Sequence, residues 1–283
     1  MAVVTRFAPS PTGHLHLGHA LSALTGWRVA RAAGGRFLVR IEDIDRSRCR
    51  AEFEHDLLED LAWLGLDWEQ PVRRQSEHLH DYRAALDRLR ALGVIYPCFC
   101  TRKDIQAEIA AADRAPHGQA DGGDQPLYPG TCRGLPPEQR AERLTAGLPF
   151  TLRLDLAAAR ALTGPLIWSD RLAGTIEATP ELLGDVVLAR KDTPTSYHLS
   201  VVVDDARQGV TLVTRGQDLF FATHLHRLLQ SLLDLPIPEY LHHPLLTNDQ
   251  GVRLAKRDRA LTLRALREAG QRPEQVRRMA GFE

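Results

Sequence analysis

An α/β fold built on an open, largely parallel sheet, interrupted once by an inserted domain, is what the amino-acid sequence predicts. Apolar segments of strand length alternate with helical patterns over the first hundred residues, the alternation stops near Pro97, and it resumes near Asp185. With 283 residues and 43% hydrophobic content, the chain can bury one large core or two modest ones.

Val3 to Ala8 reads as a strand, Leu17 to Ala33 as a helix, and Arg36 to Ile41 as a second strand after the Gly34 and Gly35 turn. Helical patterns follow from Cys49 to Leu64 and from Ser76 to Leu92. A run rich in Gly, Ala, Asp and Pro, from Ala110 to Pro137, lies between cysteines and has little periodicity, so residues 98–184 read as an insertion. Past it come an apolar stretch from Asp185 to Arg190, a short helix near Ser196 to Asp205, a strand at Thr211 to Thr214 and a helix at Leu219 to Leu233. The domain plan is a split sheet domain, 1–97 and 185–245, with an inserted subdomain, 98–184, and a C-terminal segment, 246–283.

Basic and acidic residues number 36 each, so the whole molecule offers no electrostatic attraction to nucleic acid. The charge is segregated instead. Arg253 to Glu283 carries nine Lys or Arg against four acids, while Ile41 to Gln70 holds ten acids and three arginines. The opening MAVVTRFAPSPTG lacks a signal-peptide pattern, and no apolar run approaches the roughly 20 residues that cross a bilayer, so a cytoplasmic protein without a membrane partner is expected.

The densest chemistry lies in RFAPSPTGHLHLGH, residues 6–19. A strand ends in a Pro and Gly turn and feeds into a helix, placing unpaired helix N–H groups at the sheet edge where α/β folds bind nucleotides. His16 and His19, three apart, share one face of the first turn, where their ring N–H groups can donate to phosphate. Gly18 lets a flat base approach the backbone. The run resembles the HIGH motif of class I aminoacyl-tRNA synthetases, and RFAPSPTG has the form of the glutamyl and glutaminyl branch. That resemblance implies a Rossmann-like catalytic domain with an inserted acceptor-type subdomain, and ATP, with Mg²⁺, held by His16, Gly18 and His19.

RLAKR, residues 253–257, resembles the KMSKS loop of the same class. Lys256 would be the lysine that follows charge onto the departing pyrophosphate. Arg253 and Ala255 depart from the family pattern; the arginine keeps the charge and the alanine loses a hydroxyl.

An amino acid with two carboxylates and one ammonium needs complementary groups. Arg6 and Arg215 suit the carboxylates and Glu42 the ammonium, and either arginine suits either carboxylate. The resemblance implies an L-glutamate pocket lined by Arg6, Phe7, Ala8, Pro9, Ser10, Glu42, Tyr197 and Arg215.

Four cysteines in a reducing compartment favour metal over disulfide. Cys98, Cys100 and Cys132 make a soft site suited to Zn²⁺ that needs a fourth ligand. The resemblance supplies Tyr128 for a structural zinc, one per chain, and His117 is the chemical alternative. Cys49 reads as an ordinary thiol.

Only 26 residues follow Arg257, where glutamyl-tRNA synthetases continue into an anticodon-binding domain. Together with the Cys-x-Cys and Tyr-x-x-x-Cys pattern, this is similar to the glutamyl-Q tRNA(Asp) synthetases. Those enzymes activate glutamate with ATP and transfer it to queuosine in the anticodon loop of tRNA(Asp); a monomer is expected. Three alternatives stand beside it: a compact ligase for tRNA(Glu), a small-molecule nucleotidyltransferase, and a non-catalytic, zinc-stabilised RNA-binding or amino-acid-sensing module.

Overall fold

The structure, a computed structural model, describes residues 2–101, 103–106, 127–246 and 262–282. Its first unit is β1 (Val4–Phe7), α1 (Leu17–Ala32) and β2 (Arg36–Ile41), with β1 and β2 parallel from the pair Val4 and Arg36 to the pair Phe7 and Val39. Gly35 makes this return possible, because a Cβ there would sit 2.0 Å from the Val3 carbonyl oxygen. Gly26 does the same inside α1, where a Cβ would meet Thr214 Oγ1 at 2.8 Å and hold the helix off the sheet.

Two helices, α2 (Ala51–Trp63) and α3 (Leu79–Ala91), fall where their periodicity placed them. Between them lies an unexpected strand, β3 (Glu69–Arg74), parallel to β2. Its sequence EQPVRR has three exposed residues and one buried, so an edge position left no alternation to read.

The second half of the sheet comprises β9 (Leu212–Gly216) and β10 (Glu239–His243), parallel to each other, with α6 (Tyr197–Arg207) before them and α7 (Ala222–Leu232) between. The edges of β1 and β9 meet where Thr211 N donates to Val4 O at 3.0 Å and Val4 N donates to Thr211 Oγ1 at 2.9 Å. The hairpin of β6 (Ile167–Asp170) and β7 (Gly174–Glu177) extends this half, β6 running parallel to β10.

A separate antiparallel sheet joins β4 (Ile95–Cys98), β5 (Thr151–Leu154) and β8 (Val187–Ala189), accompanied by α4 (Pro137–Thr145) and α5 (Leu156–Thr163). Pairing therefore crosses the expected limits of 98 and 184 on both sides. Residues 187–189, read as a return to the main sheet, pair with β5, and the hairpin at 167–177 pairs with the main sheet. Strands of three or four residues are too short to announce which sheet they join.

Two cores follow from this layout. One gathers α3, α6 and α7 around Trp168 and Tyr240; the other packs α1 and α2 against the C-terminal helices α8 (Leu263–Glu268) and α9 (Pro273–Met279). Leu263 and Val276 are fully buried there, each worth about 1.5–3 kcal/mol relative to exposure. None of the described helices is long and apolar enough to cross a membrane.

Candidate active site

The end of β1 and the start of α1 form one wall of a cleft of about 950 Å³. His16 is the N-cap of α1: its Nδ1 accepts from Gly18 N at 3.1 Å, and His19 Nδ1 accepts from His16 N at 3.2 Å. The two rings stack with centroids 3.8 Å apart. Because both Nδ1 atoms accept from backbone N–H groups, each neutral ring carries its proton on Nε2 as a donor. A helix N-terminus and two imidazole donors thus belong to the same cleft wall, an arrangement suited to phosphate.

Beneath that wall lies a buried charge network. Arg6 donates from Nε to Asp205 Oδ1 at 3.0 Å, from Nη2 to Asp205 Oδ2 at 3.3 Å, and from Nη1 to the Thr214 carbonyl at 3.2 Å. Arg40, fully buried, donates from Nη1 to Asp205 Oδ1 at 2.8 Å and from Nη2 to Glu42 Oε1 at 3.2 Å. Burial opposes charge on Asp205, but Arg6 and Arg40 outweigh it and hold its carboxyl below the usual range. For Glu42 burial wins, and its carboxyl is raised despite Arg40 and Arg6. An ammonium arriving beside Glu42 would restore its charge.

Arg215, at the end of β9, has different company. Its Nε donates to His242 Nε2 at 3.0 Å, its Nη1 to His226 Nδ1 at 3.2 Å and to Tyr197 Oη at 3.4 Å, and its Nη2 to Thr223 Oγ1. Among the described residues no carboxylate lies within ion-pair distance of it. Burial and the Arg215 charge push His242 and His198 down to about 4, and His226 well below its ordinary value, so all three are neutral at pH 7. Arg215 is only 4% exposed yet borders the cleft, a buried cation hydrogen-bonded to neutral acceptors.

Among the residues lining the cleft are Arg6, Phe7, Ala8, Pro9, Ser10, His16, Gly18, His19, Tyr197 and Arg215, which the sequence had singled out, beside others it had not, such as Ser22, Asp218 and His243. Glu42 lines an adjoining cavity of about 240 Å³ that shares Ser10 and Tyr197 with the cleft. The two arginines are more deeply buried than an open cleft would make them; Asp205 compensates one, and neutral acceptors hold the other. Lys256, with Arg253 and Ala255, lies outside the described residues, while Leu246 and Thr262 on either side both line the cleft. Leu263 N donates to Leu15 O at 2.8 Å and Thr262 bridges to His16, so the chain re-enters beside the histidine turn.

Sequence reading missed Arg40, Asp170, Asp205, His226 and His242. Asp205 stood eight residues after Tyr197 in a predicted helix, the same-face spacing that would have aimed both inward. Thr223 and His226, three apart on α7, share a face for the same reason. For Asp170 no local signal exists.

The cysteines converge as expected. Cys98, Cys100 and Cys132 Sγ atoms lie within 4.8 Å of one another, with Cys100 and Cys132 3.4 Å apart. Tyr128 Oη is 3.4 Å from Cys98 Sγ and 3.5 Å from Cys100 Sγ. Bonds of about 2.3 Å to sulfur from a tetrahedral centre give edges of about 3.8 Å, so these four atoms fit a zinc shell with little movement. Burial pushes the Cys100 thiol up to about 12, a desolvation that a bound cation would relieve. His117 lies outside the described residues. Cys49 lines the adjoining cavity, and burial raises its thiol, as for an unactivated cysteine.

Three described arginines of the basic C-terminal window are engaged within the molecule. Arg264 pairs with Asp56 at 2.8 Å, Arg267 pairs with Glu59 at 2.5 Å, and Arg277 Nε donates to Leu64 O at 2.9 Å. The two segregated charge windows meet each other, which docks α8 on α2, and Arg277 fastens α9 to the carbonyl at the end of α2.

Comparison with known proteins agrees with this geometry. Residues 2–281 match the family described as tRNA synthetases class I (E and Q), catalytic domain. The chain is 52% identical to the glutamyl-Q tRNA(Asp) synthetase of Rhodobacter capsulatus, over 99% of this chain and 100% of that protein. It is 46% identical to the protein of that name from Symbiobacterium thermophilum, over 96% of this chain and 83% of the relative. Among solved structures it is similar to a glutamate-tRNA synthetase from Elizabethkingia anophelis, with a TM-score of 0.78 and 28% identity over 91% of this chain. It spans about half of that structure's chain, 53%.

Proposed function

This chain belongs to the catalytic-domain family of the class I tRNA synthetases (E and Q), and on that premise we propose that it activates L-glutamate with ATP and transfers it to queuosine in the anticodon of tRNA(Asp). The observation that carries the first step is the placement of Arg6 and Arg215 in the same cleft as the His16 and His19 donors. In that step a glutamate carboxylate oxygen attacks the α-phosphorus of ATP, the bond to the bridging oxygen breaks, and pyrophosphate departs with its charge. Donors on His16 and His19, the N-terminus of α1 and the Lys256 ammonium stabilise that charge as it develops. Arg6 and Arg215 hold the two carboxylates and Glu42 the ammonium, which selects an acidic amino acid.

In the second step a hydroxyl of the queuosine cyclopentene ring attacks the carbonyl carbon of glutamyl-adenylate, and AMP leaves. Similarity along the whole Rhodobacter capsulatus protein supports this acceptor. Cys98, Cys100, Cys132 and Tyr128 would hold a zinc ion, whose contribution is to brace the small antiparallel sheet.

Transfer of radiolabelled glutamate to tRNA(Asp), with and without queuosine, set against transfer to tRNA(Glu), tests the reading. Labelling only of queuosine-bearing tRNA(Asp) is the expected result. Labelling of tRNA(Glu) alone would refute it.

A further inference from the structure

Arg215 can hold an acid only if its guanidinium is aimed into the cleft and its charge is not spent inside the protein. Both conditions trace to one imidazole. An arginine can only donate, so His242 Nε2, 3.0 Å from Arg215 Nε, must present a lone pair. The proton of the neutral ring then sits on Nδ1, which faces Asp170 Oδ2 at 2.7 Å. Asp170 is fixed in turn: its Oδ1 accepts from Leu172 N at 2.8 Å and Ala173 N at 3.0 Å in the β6–β7 turn, and its Oδ2 also accepts from His242 N at 3.1 Å. Side-chain exposure is 1% for Asp170 and 2% for His242, so water cannot substitute for either bond.

We propose that Asp170, acting through His242, is a positioning residue for Arg215: it selects the tautomer that orients the guanidinium and keeps the carboxylate one imidazole away from it. Were a carboxylate in direct contact, it would take up donors of Arg215 and offset its charge, and the pull of Arg215 on an anion in the cleft would weaken. The relay supplies orientation without neutralisation. His226 repeats the logic on the other side, accepting from Arg215 at Nδ1 and leaving its Nε2 proton for His198 Nδ1 at 3.2 Å. This inference rests on the glutamate-activation reading for its ligand, but not for its geometry.

Two measurements test it. Steady-state pyrophosphate exchange into ATP on Asp170→Asn and His242→Leu is expected to show KM for glutamate raised about tenfold or more, the loss of one charge-assisted hydrogen bond, with KM for ATP and kcat nearly unchanged. His242→Gln, which keeps an acceptor for Arg215 Nε, should recover most of that loss. An unchanged KM for glutamate, or an equal rise for ATP, overturns the proposal. Nitrogen-15 spectra of the wild-type histidines provide the second readout, which does not depend on activity: His242 protonated at Nδ1 is expected, with a shift towards the Nε2 tautomer in Asp170→Asn. A wild-type His242 protonated at Nε2 overturns the relay whatever the reaction. Absence of glutamate-dependent exchange in the wild type would remove the functional reading instead, and the spectra would still decide the relay.

Discussion

Asp205 clasps Arg6 at two points beneath the cleft, Nε to Oδ1 at 3.0 Å and Nη2 to Oδ2 at 3.3 Å. The same carboxylate also accepts from Arg40, so its single charge is shared between two buried cations. Asp205→Asn should therefore leave both arginines under-compensated and lower unfolding free energy by about 3–5 kcal/mol, the usual result of removing one partner from a buried pair. Urea unfolding followed by tryptophan fluorescence measures this; an unchanged midpoint would mean that the network does not hold the two arginines.

Lys256 is assigned to the leaving group rather than to glutamate. Lys256→Ala should lower the rate of adenylate formation on the order of a hundredfold, about 2.7 kcal/mol of transition-state stabilisation, with glutamate affinity unchanged. Single-turnover formation of glutamyl-adenylate, beside glutamate binding by calorimetry, separates the two. Equal losses in both would place the lysine on the amino acid.

Three sulfurs within 4.8 Å of one another, with a phenol beside two of them, predict a metal that matters to the fold of the small sheet. Cys98→Ser should release it and lower the melting temperature, because Cys98 ends β4 and the cluster ties that strand to the loop carrying Tyr128 and Cys132. Elemental analysis of the purified protein and the variant is the check, and equal zinc content in both would remove Cys98 from the shell.

What could be read from the sequence was what is local. The turn into α1, the strand carrying Arg6 and the helix carrying Tyr197 each declare themselves within about a dozen residues, through caps and periodicity. Arg215 and Glu42 were legible because their charges suit an acidic amino acid and the family resemblance implies both for the pocket. The relay behind Arg215 was not, since Asp170 and His242 are separated by 72 residues and meet only because β6 lies beside β10. Neither strand shows alternation: IWSD is four residues long, and EYLHH sets two histidines side by side. Charge windows told only part of the story, because the excess of arginine after Arg253 was visible as segregated charge, whereas the acids that answer it lie some two hundred positions away, as in the pair Arg264 and Asp56.

Asp60 tests that docking surface by pH. It is buried on α2 near Arg267, and burial outweighs that arginine to raise its carboxyl to about 6. A folded value above the unfolded one means that the native state binds the extra proton between them. Stability from this group is present below about 4 and is lost as pH rises through 6. Asp60→Asn, which cannot ionise, should melt higher than wild type at pH 8, with the difference vanishing near pH 4. Thermal unfolding across that range measures it, and a constant difference would show that Asp60 ionises as easily in the folded chain as in the unfolded one.

His16 does two jobs that one substitution can separate. Its Nδ1 caps α1 by accepting from Gly18 N, while its Nε2 proton is the donor assigned to ATP phosphate. His16→Ala removes both, so it should cost about 1 kcal/mol of stability for the lost cap, together with a large fall in the rate of adenylate formation. His16→Asn keeps a short side-chain oxygen that can accept from the same backbone N–H but presents no donor at the distance of Nε2. Stability should return towards wild type in the asparagine variant while the rate stays low. Chemical denaturation and pyrophosphate exchange on the same preparations distinguish the two roles: recovery of rate alongside stability would mean that the ring acts only by shaping the start of the helix, and the donor assigned to phosphate would have to be sought elsewhere on the cleft wall.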